Sequence, residues 1–216
     1  MSVRIRDLVT LFLVATPVFA AEPGNLCDGH LALSVGQWAK YQTDVPLLKT
    51  KMESRYAIVA TEDVGGSEHF WLEMRVPMAG DRMILQFLVP GYPYQVDMIR
   101  SMVMKMGEAM PAMVYPPEMA AGMSSNDSLS TPLQLACDAY AMGTVESVTV
   151  PAGTFRATRV SPKGFGKDIW ISADVPFGIV RMTEPDGRGL ILLAYGADAV
   201  SSITETPQQM PGMGQQ

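Results

Sequence analysis

The sequence has few of the residues from which most catalytic and metal sites are built. Its 216 residues include only two histidines and two cysteines. It contains no Gly-x-Ser-x-Gly elbow, no His-Glu-x-x-His pair and no phosphate-binding glycine loop. The carboxylates Glu73, Asp97, Glu108 and Asp168 are scattered along the chain, so no acid–base pair can be assembled from them. We therefore expect no enzyme activity, no catalytic residues, no cofactor and no resident metal.

Positive charge is also sparse. The 16 Lys and Arg residues stand against 22 Asp and Glu residues, which gives a formal net charge of −6, and no basic run occurs. A nucleic-acid partner is excluded because the cluster of basic side chains that neutralises phosphates is missing. The apolar fraction of 48% and the charged fraction of 18% are typical of a globular chain.

Long apolar segments are absent apart from one short stretch near the N-terminus. Arg4 and Arg6 precede the apolar residues 8–15, and residues 18–20 offer the small or aliphatic positions that a signal peptidase recognises. This stretch is too short to span a bilayer, and no later one reaches the roughly 18 residues required. The sequence predicts a signal peptide over residues 1–20, a periplasmic or secreted location, and no membrane span after cleavage.

The two cysteines, Cys27 and Cys137, form an even pair in a chain expected to enter an oxidising compartment. Cys27 lies beyond the predicted cleavage site and follows Leu26, whereas a lipid-anchored cysteine directly follows a small residue at the end of the apolar run. Neither cysteine belongs to a Cys-x-x-Cys motif. We predict a Cys27–Cys137 disulfide that holds the N-terminus on the body of the protein.

The first half of the chain shows the period of two that is typical of strands. In residues 69–76, alternate apolar and polar side chains would lie on opposite faces. A turn at Gly65 and Gly66 would join this strand to residues 55–60, and residues 82–89 continue the meander. The inward candidates for ligand contact in this region are Phe70, Leu72, Met74, Leu85 and Phe87.

The second half repeats short apolar runs separated by turns containing proline or glycine. Strands are predicted over residues 148–150, 154–160, 168–172, 177–183 and 189–195. No alternation of strands and helices occurs, so the pattern predicts a mainly β fold, an antiparallel half-barrel or sandwich. We assign residues 21–205 to a single β-rich domain and residues 206–216 to a disordered tail.

One segment between the two halves is predicted to be helical. Residues 93–110 place apolar side chains at three- and four-residue steps, and Pro93 suits a first helical turn. Met98, Met102 and Met106 would then line one face of a helix that covers an opening of the sheet as a lid. These three methionines complete the predicted ligand-binding set.

Methionine is unusually abundant, with 17 residues in total, eight of them between Met98 and Met123. Three interpretations remain open. Methionine fills irregular core space, it can line a cavity for a variable apolar ligand, and clustered thioethers can bind Cu(I). On a helix, residues two apart point in nearly opposite directions, so Met102 and Met104 could not bind one ion there.

Parts of the second half resemble a known family. Residues 148–155 have the sequence VTVPAGTF, residues 169–172 have IWIS, and residues 175–180 have VPFGIV. These motifs resemble the periplasmic lipoprotein-carrier (LolA/LolB-like) superfamily or an exported bacterial relative of it. The resemblance implies an open half-barrel that wraps around an apolar cavity covered by helices.

Together these features predict an exported, soluble, non-catalytic protein that holds a lipid or acyl chain between the sheet and the methionine-rich helix. Two alternatives remain. One is a periplasmic Cu(I)-binding protein, and the other is a structural module that binds a protein partner through the methionine face.

Overall fold

The structure, a computed structural model, describes residues 26–27, 31–45, 49–78, 81–116, 119 and 129–210. The predicted signal peptide and residues 211–216 of the predicted tail lie outside the described residues. The described part contains twelve strands and one α-helix, together with short 3-10 turns. The strands are β1 Trp38–Val45, β2 Thr50–Val64, β3 Ser67–Met78, β4 Asp81–Val89, β5 Ser101–Met106, β6 Met113–Tyr115, β7 Thr144–Val150, β8 Gly153–Val160, β9 Asp168–Ile171, β10 Ile179–Thr183, β11 Gly189–Gly196 and β12 Gln208–Gln209; the helix is α1 Ser130–Asp138.

All twelve strands belong to one sheet, in the order β12-β6-β5-β4-β3-β2-β1-β11-β10-β9-β8-β7. Every neighbouring pair is antiparallel except β12 with β6. The mainly β prediction is confirmed. The β2–β3 hairpin is confirmed as well, because Gly65 and Gly66 have φ values of 63° and 84°, as a two-residue turn of this kind needs.

One face of this sheet, the inner face, carries the main core. Strand register places Tyr56 opposite Met74, and Met74 opposite Leu85, so side chains of the same face run in rows across the strands. Buried residues of strands β1–β5 and β7–β11 belong to one apolar cluster, and the half-buried Tyr115 of β6 packs against it. The long sheet therefore curves around its inner face. The helix α1 packs against β9.

The predicted methionine-rich helix over residues 93–110 is wrong. Only a 3-10 turn, Val96–Met98, is helical there, and Ser101–Met106 is strand β5, paired with β4 on one side and β6 on the other. Both faces of β5 are covered, since Met102 and Val103 are 0% and 4% exposed. A strand buried on both faces loses its alternation of apolar and polar residues, and the remaining three- and four-residue spacing resembles a helix.

The helix α1 was not predicted. Leu129, Leu133 and Ala136 are all buried, and their spacing is that of one helical face. Pro132 lies in the first turn, where its missing N–H leaves no hydrogen bond unmade. The helix is nine residues long. Among the residues that the structure describes, no helix has the length and apolar character needed to cross a membrane.

Residues 197–210, here called the C-terminal strap, cross the outer face of the sheet. The backbone N–H of Ser202 donates to Glu73 Oε2 over 2.8 Å. Ile203, 8% exposed, packs on the outer-face residues Ile84 and Val103. The strap therefore gives the outer face a small core of its own.

The C-terminal strap ends in strand β12, which lies within the tail that the sequence predicted to be disordered. Gln208 and Gln209 pair in parallel with Met113 and Val114, and the N–H of Gln208 donates to the carbonyl of Ala112 over 2.8 Å. Residues 206–210, assigned from the sequence to a disordered tail, thus include an ordered edge strand. Their polar composition gave no apolar pattern, and the pairing uses the backbone alone.

Candidate functional site

The structure brings most of the predicted ligand-facing residues together, but as packed core. Leu72, Phe87 and Met102 lie side by side on β3, β4 and β5, and Met74 and Leu85 form the next row. The exposed fractions of Leu72, Phe87 and Met102 are 0%, 1% and 0%, and those of Met74 and Leu85 are 4% each. Side chains covered to this degree leave no open surface for a ligand.

The other three predicted residues lie at the margins of this core. Phe70 is half-buried on the inner face of β3, next to Leu72 in that face. Met106 lies at the far end of β5 and is 37% exposed. Met98 lies in the 3-10 turn rather than on β5, so it does not share a regular face with Met102 and Met106.

A cleft of about 570 Å³ lies elsewhere, between the N-terminal arm (residues 31–37) and the loop that follows β9. Its mouth is open, because Ala32, Ala173 and Ala197 are exposed. Most of the lining is apolar, with Gln37 and Asp174 as its polar members. The apolar residues of the lining are Leu26, Leu31, Ala32, Leu33, Ala173, Val175, Pro176, Phe177, Tyr195 and Ala197.

The floor of the cleft rests on a chain of aromatic rings. Phe177 is 1% exposed, and the centroid of its ring lies 5.9 Å from that of Tyr56 and 5.2 Å from that of Tyr92. Tyr56 in turn contacts Tyr41, whose hydroxyl donates to the carbonyl of Ile179 over 3.0 Å. Burial, together with the neighbouring Tyr56, raises the pKa of Tyr41, so this hydroxyl remains a neutral donor.

The backbone is strained at Phe177, in the floor of the cleft. Phe177 has φ of 61°, a left-handed conformation that a bulky side chain rarely adopts, and Gly178 follows with φ of 70°. The two residues turn the chain sharply between the cleft loop and β10. The turn aims the Phe177 ring into the aromatic cluster, and such strain persists only where packing holds it.

The wall formed by the N-terminal arm is anchored at several points. Cys27 forms the predicted disulfide with Cys137 of α1, with a Cα–Cα distance of 5.1 Å. The N–H of Leu31 donates to the carbonyl of Tyr92, and the N–H of Gly36 donates to the carbonyl of Ile58, each over 2.8 Å. The disulfide therefore holds Leu26, a lining residue, against the body of the protein.

The lining of the cleft contains two polar side chains, neutral Gln37 and acidic Asp174. Gln37 Oε1 accepts a hydrogen bond from the N–H of Ser34 over 3.0 Å, which fixes the arm's turn. Asp174 is exposed, and its Oδ2 accepts a hydrogen bond from Ser172 Oγ over 3.3 Å. The mouth of the cleft thus carries one carboxylate.

Sequence reasoning missed the cleft because both of its walls lack regular structure. Residues 177–183 were predicted as a strand, and residues 175–180 were noted only as a motif of the resemblance. The signal that could have pointed to the cleft is the group of leucines Leu26, Leu31 and Leu33, apolar residues placed beside a cysteine at the start of the domain. Nothing in a linear pattern indicates which loop such an arm meets.

The described residues offer no metal site of the usual kind. No group of three or more His, Cys, Asp or Glu side chains among them could hold a metal ion. His69 is buried, with Nδ1 3.1 Å from the carbonyl oxygen of Ser67. The second histidine, His30, lies outside the described residues.

Comparisons of the chain with family models, with curated proteins and with solved structures gave no match. The resemblance to the lipoprotein-carrier superfamily therefore stays a prediction.

Proposed function

We propose that this protein binds an apolar ligand, a lipid or acyl chain, without catalysing a reaction. The ligand would occupy the cleft between the N-terminal arm and the loop after β9, and not the packed space beneath β3–β5. The observation that carries the proposal is the cleft itself, about 570 Å³ with mostly apolar walls. Small-molecule sites are typically concave, apolar and about 300–1,000 Å³ in volume.

The charge at the mouth narrows the class of ligand. Asp174 is the acidic side chain of the lining, and the whole chain carries a net charge of −6. A free fatty acid would bring its carboxylate close to Asp174, and like charges repel. We therefore expect a neutral or cationic apolar molecule to bind more tightly than a fatty acid of the same chain length.

An exported location fits this function. The Cys27–Cys137 disulfide is a bond that persists in oxidising compartments, and the first residues have the pattern of a signal peptide. A periplasmic or secreted protein with an apolar cleft could carry a ligand that water dissolves poorly. A curved antiparallel sheet is one part of the architecture that the resemblance to the lipoprotein-carrier superfamily implies, whereas the helix-covered cavity that it also implies is not the site proposed here.

The test fills the cleft and measures the loss of binding. Ala173 is an exposed lining residue, so Ala173→Trp places a large side chain in the cleft without disturbing the core. Ala141, exposed in the turn Tyr140–Met142, lies outside the lining, and Ala141→Trp is the matched control. Binding of a neutral fluorescent acyl probe is measured by titration.

We expect Ala173→Trp to weaken probe binding by roughly tenfold or more, about 1.4 kcal/mol, while Ala141→Trp binds as the parent does. Equal binding by all three proteins would contradict the assignment of the cleft. Native mass spectrometry of the exported protein adds a second readout, because a bound lipid appears as an adduct that is lost on denaturation. A protein that binds neither the probe nor a natural lipid would overturn the proposed function.

A further inference from the structure

Four methionines meet on the inner face at the end of the sheet that contains β4, β5 and β6. Met83 lies directly opposite Met106, and Met104 lies directly opposite Met113. Met104 and Met106 are two residues apart on β5 and therefore share a face. We call Met83, Met104, Met106 and Met113 the thioether cluster.

The register places Met104 and Met106 next to each other on one face of β5, and each lies directly opposite one further methionine on a neighbouring strand. Directly opposed residues of an antiparallel pair have Cβ atoms about 4.5–5.5 Å apart. A methionine side chain is unbranched with three rotatable bonds, so its sulfur can move toward a common centre. On a helix Met102 and Met104 would point in nearly opposite directions, whereas on strand β5 residues two apart point the same way.

The cluster is reachable from solvent. Met106 is 37% exposed, and Met83, Met104 and Met113 are half-buried, whereas Met102 in the adjacent row is 0% exposed. A small ion could therefore enter the cluster without unfolding the sheet, which the deeper row does not allow.

The local charges do not oppose a cation. Lys105 lies between Met104 and Met106 in sequence but points to the outer face, where its ammonium group is 2.6 Å from Glu205. Arg82, next to Met83, is on the outer side of the same hairpin and pairs with Glu108 over 3.4 Å. Each of these two positive charges is thus turned away and neutralised.

We propose that the thioether cluster is a binding site for Cu(I). Thioethers are soft, uncharged ligands, which select Cu(I) over hard ions such as Mg²⁺ or Ca²⁺. The site is separate from the cleft and does not depend on the proposed apolar ligand. Binding is simple coordination by sulfur, with no electron transfer and no proton released.

The experiment titrates the full exported chain with Cu(I), kept reduced by ascorbate, against a coloured Cu(I) chelator. The Cys27–Cys137 disulfide is checked by mass, so that free thiols do not contribute. The test variant is Met104→Leu with Met106→Leu, which keeps apolar volume and removes two sulfurs. The control is Met142→Leu, because Met142 is 81% exposed and lies outside the cluster.

We expect one Cu(I) per parent chain and for Met142→Leu, and a loss of affinity of roughly tenfold or more for the double variant. The affinity of the parent should be the same at about pH 5 and about pH 7, because thioethers do not take up protons there, whereas a histidine or cysteine site would weaken in acid. X-ray absorption should show sulfur neighbours only.

Equal affinity in the double variant, a pH-dependent affinity, or no binding by the parent would overturn the copper site and leave the methionines as packing residues. Met83→Leu repeats the test if the double variant does not fold. The two proposals fail separately. Ala173→Trp should leave Cu(I) binding unchanged, and the methionine-to-leucine changes should leave binding of the acyl probe unchanged.

Discussion

The ammonium group of Lys105 lies 2.6 Å from the carboxylate of Glu205, and this contact joins β5 to the C-terminal strap. Lys105 is largely buried, with its side chain 12% exposed. The same carboxylate accepts the N–H of Ala112 over 3.3 Å. The hydrogen bond from Lys105 is the main reason that the pKa of Glu205 is lowered. The ion pair at Glu205 and the packing of Ile203, two residues earlier, thus hold the middle of the strap on the sheet.

Shortening Ile203 should show how much the strap contributes to stability. Ile203→Ala removes a buried side chain from the outer-face core and leaves a cavity against Ile84 and Val103. We expect the free energy of unfolding to fall by about 2–4 kcal/mol, measured by urea denaturation. The control Val200→Ala lies in the same strap but at a side chain 74% exposed, so it should change stability by no more than about 0.5 kcal/mol. Similar losses for both variants would show that the strap is not packed.

Glu73 makes stability depend on pH. Its carboxylate is fully buried, which by itself would raise its pKa, but hydrogen bonds from Ser202, Arg75 and Gln86 outweigh burial and lower the pKa. Folding therefore favours the ionised form. This stabilisation is complete above the unfolded value near 4.3 and is lost as the pH falls through the lower pKa of the folded state.

The change Glu73→Gln separates this contribution from other acidic groups. We expect it to cost about 1–3 kcal/mol at neutral pH, because it leaves the Arg75 and Ser202 donors poorly matched. Unfolding by urea is followed from neutral pH to below pH 4 for both proteins. The parent should lose more stability across this range than Glu73→Gln does, and parallel curves would contradict the role assigned to Glu73.

How far the sequence predicts this fold depends on whether one face of a strand meets water. The β2–β3 hairpin was predicted because Phe70, Leu72 and Met74 alternate with polar residues and Gly65 and Gly66 mark the turn. The strand β5 was not, because Val103 on its outer face is covered by Ile203, a residue 100 positions later in sequence. No local pattern contains that contact. The apolar residues of this segment therefore showed only a three- and four-residue spacing, which predicted a helix.

The site was predicted less well than the fold. Leu72, Phe87 and Met102 lie on the inner face, with Met102 on strand β5 and not on the predicted helix, but an inward side chain can be either core or cavity lining. The difference depends on how tightly the covering elements pack, which involves α1 and the loop around Phe177. The cleft is formed by an arm and a loop that are far apart in sequence, and the Cys27–Cys137 disulfide and the aromatic cluster beside it also join distant parts of the chain.

Removing the disulfide should affect both stability and the cleft. Cys27 and Cys137 are 110 residues apart in sequence, so their cross-link restricts the unfolded chain strongly. The double change Cys27→Ser with Cys137→Ser should cost about 4–5 kcal/mol in the chain-entropy description. Because Leu26 is then released from α1, we also expect weaker binding of the acyl probe.

The control for this prediction is the reductant. Adding it to the parent should reproduce the stability of the double variant, and adding it to the double variant should change nothing. Thermal unfolding with and without reductant provides the measurement. A parent protein unaffected by full reduction would contradict an anchoring role for the disulfide.

Gly178 is required for two separate physical reasons, which a pair of variants can separate. Its φ of 70° is strained for any residue with a Cβ, and that Cβ would lie 3.2 Å from Leu133 Cδ1 and 3.3 Å from Leu26 Cδ2. Gly164 has a similar φ of 80°, but a Cβ there would meet nothing within 4 Å.

Gly164→Ala should therefore cost only the backbone strain, about 1–2 kcal/mol. Gly178→Ala should cost more, because Leu26 and Leu133 must also move, and it should weaken the acyl probe since Leu26 lines the cleft. Urea denaturation and probe titration of both variants test this, and an equal loss of stability with unchanged probe binding would show that the contact between Gly178, Leu26 and Leu133 does not support the cleft.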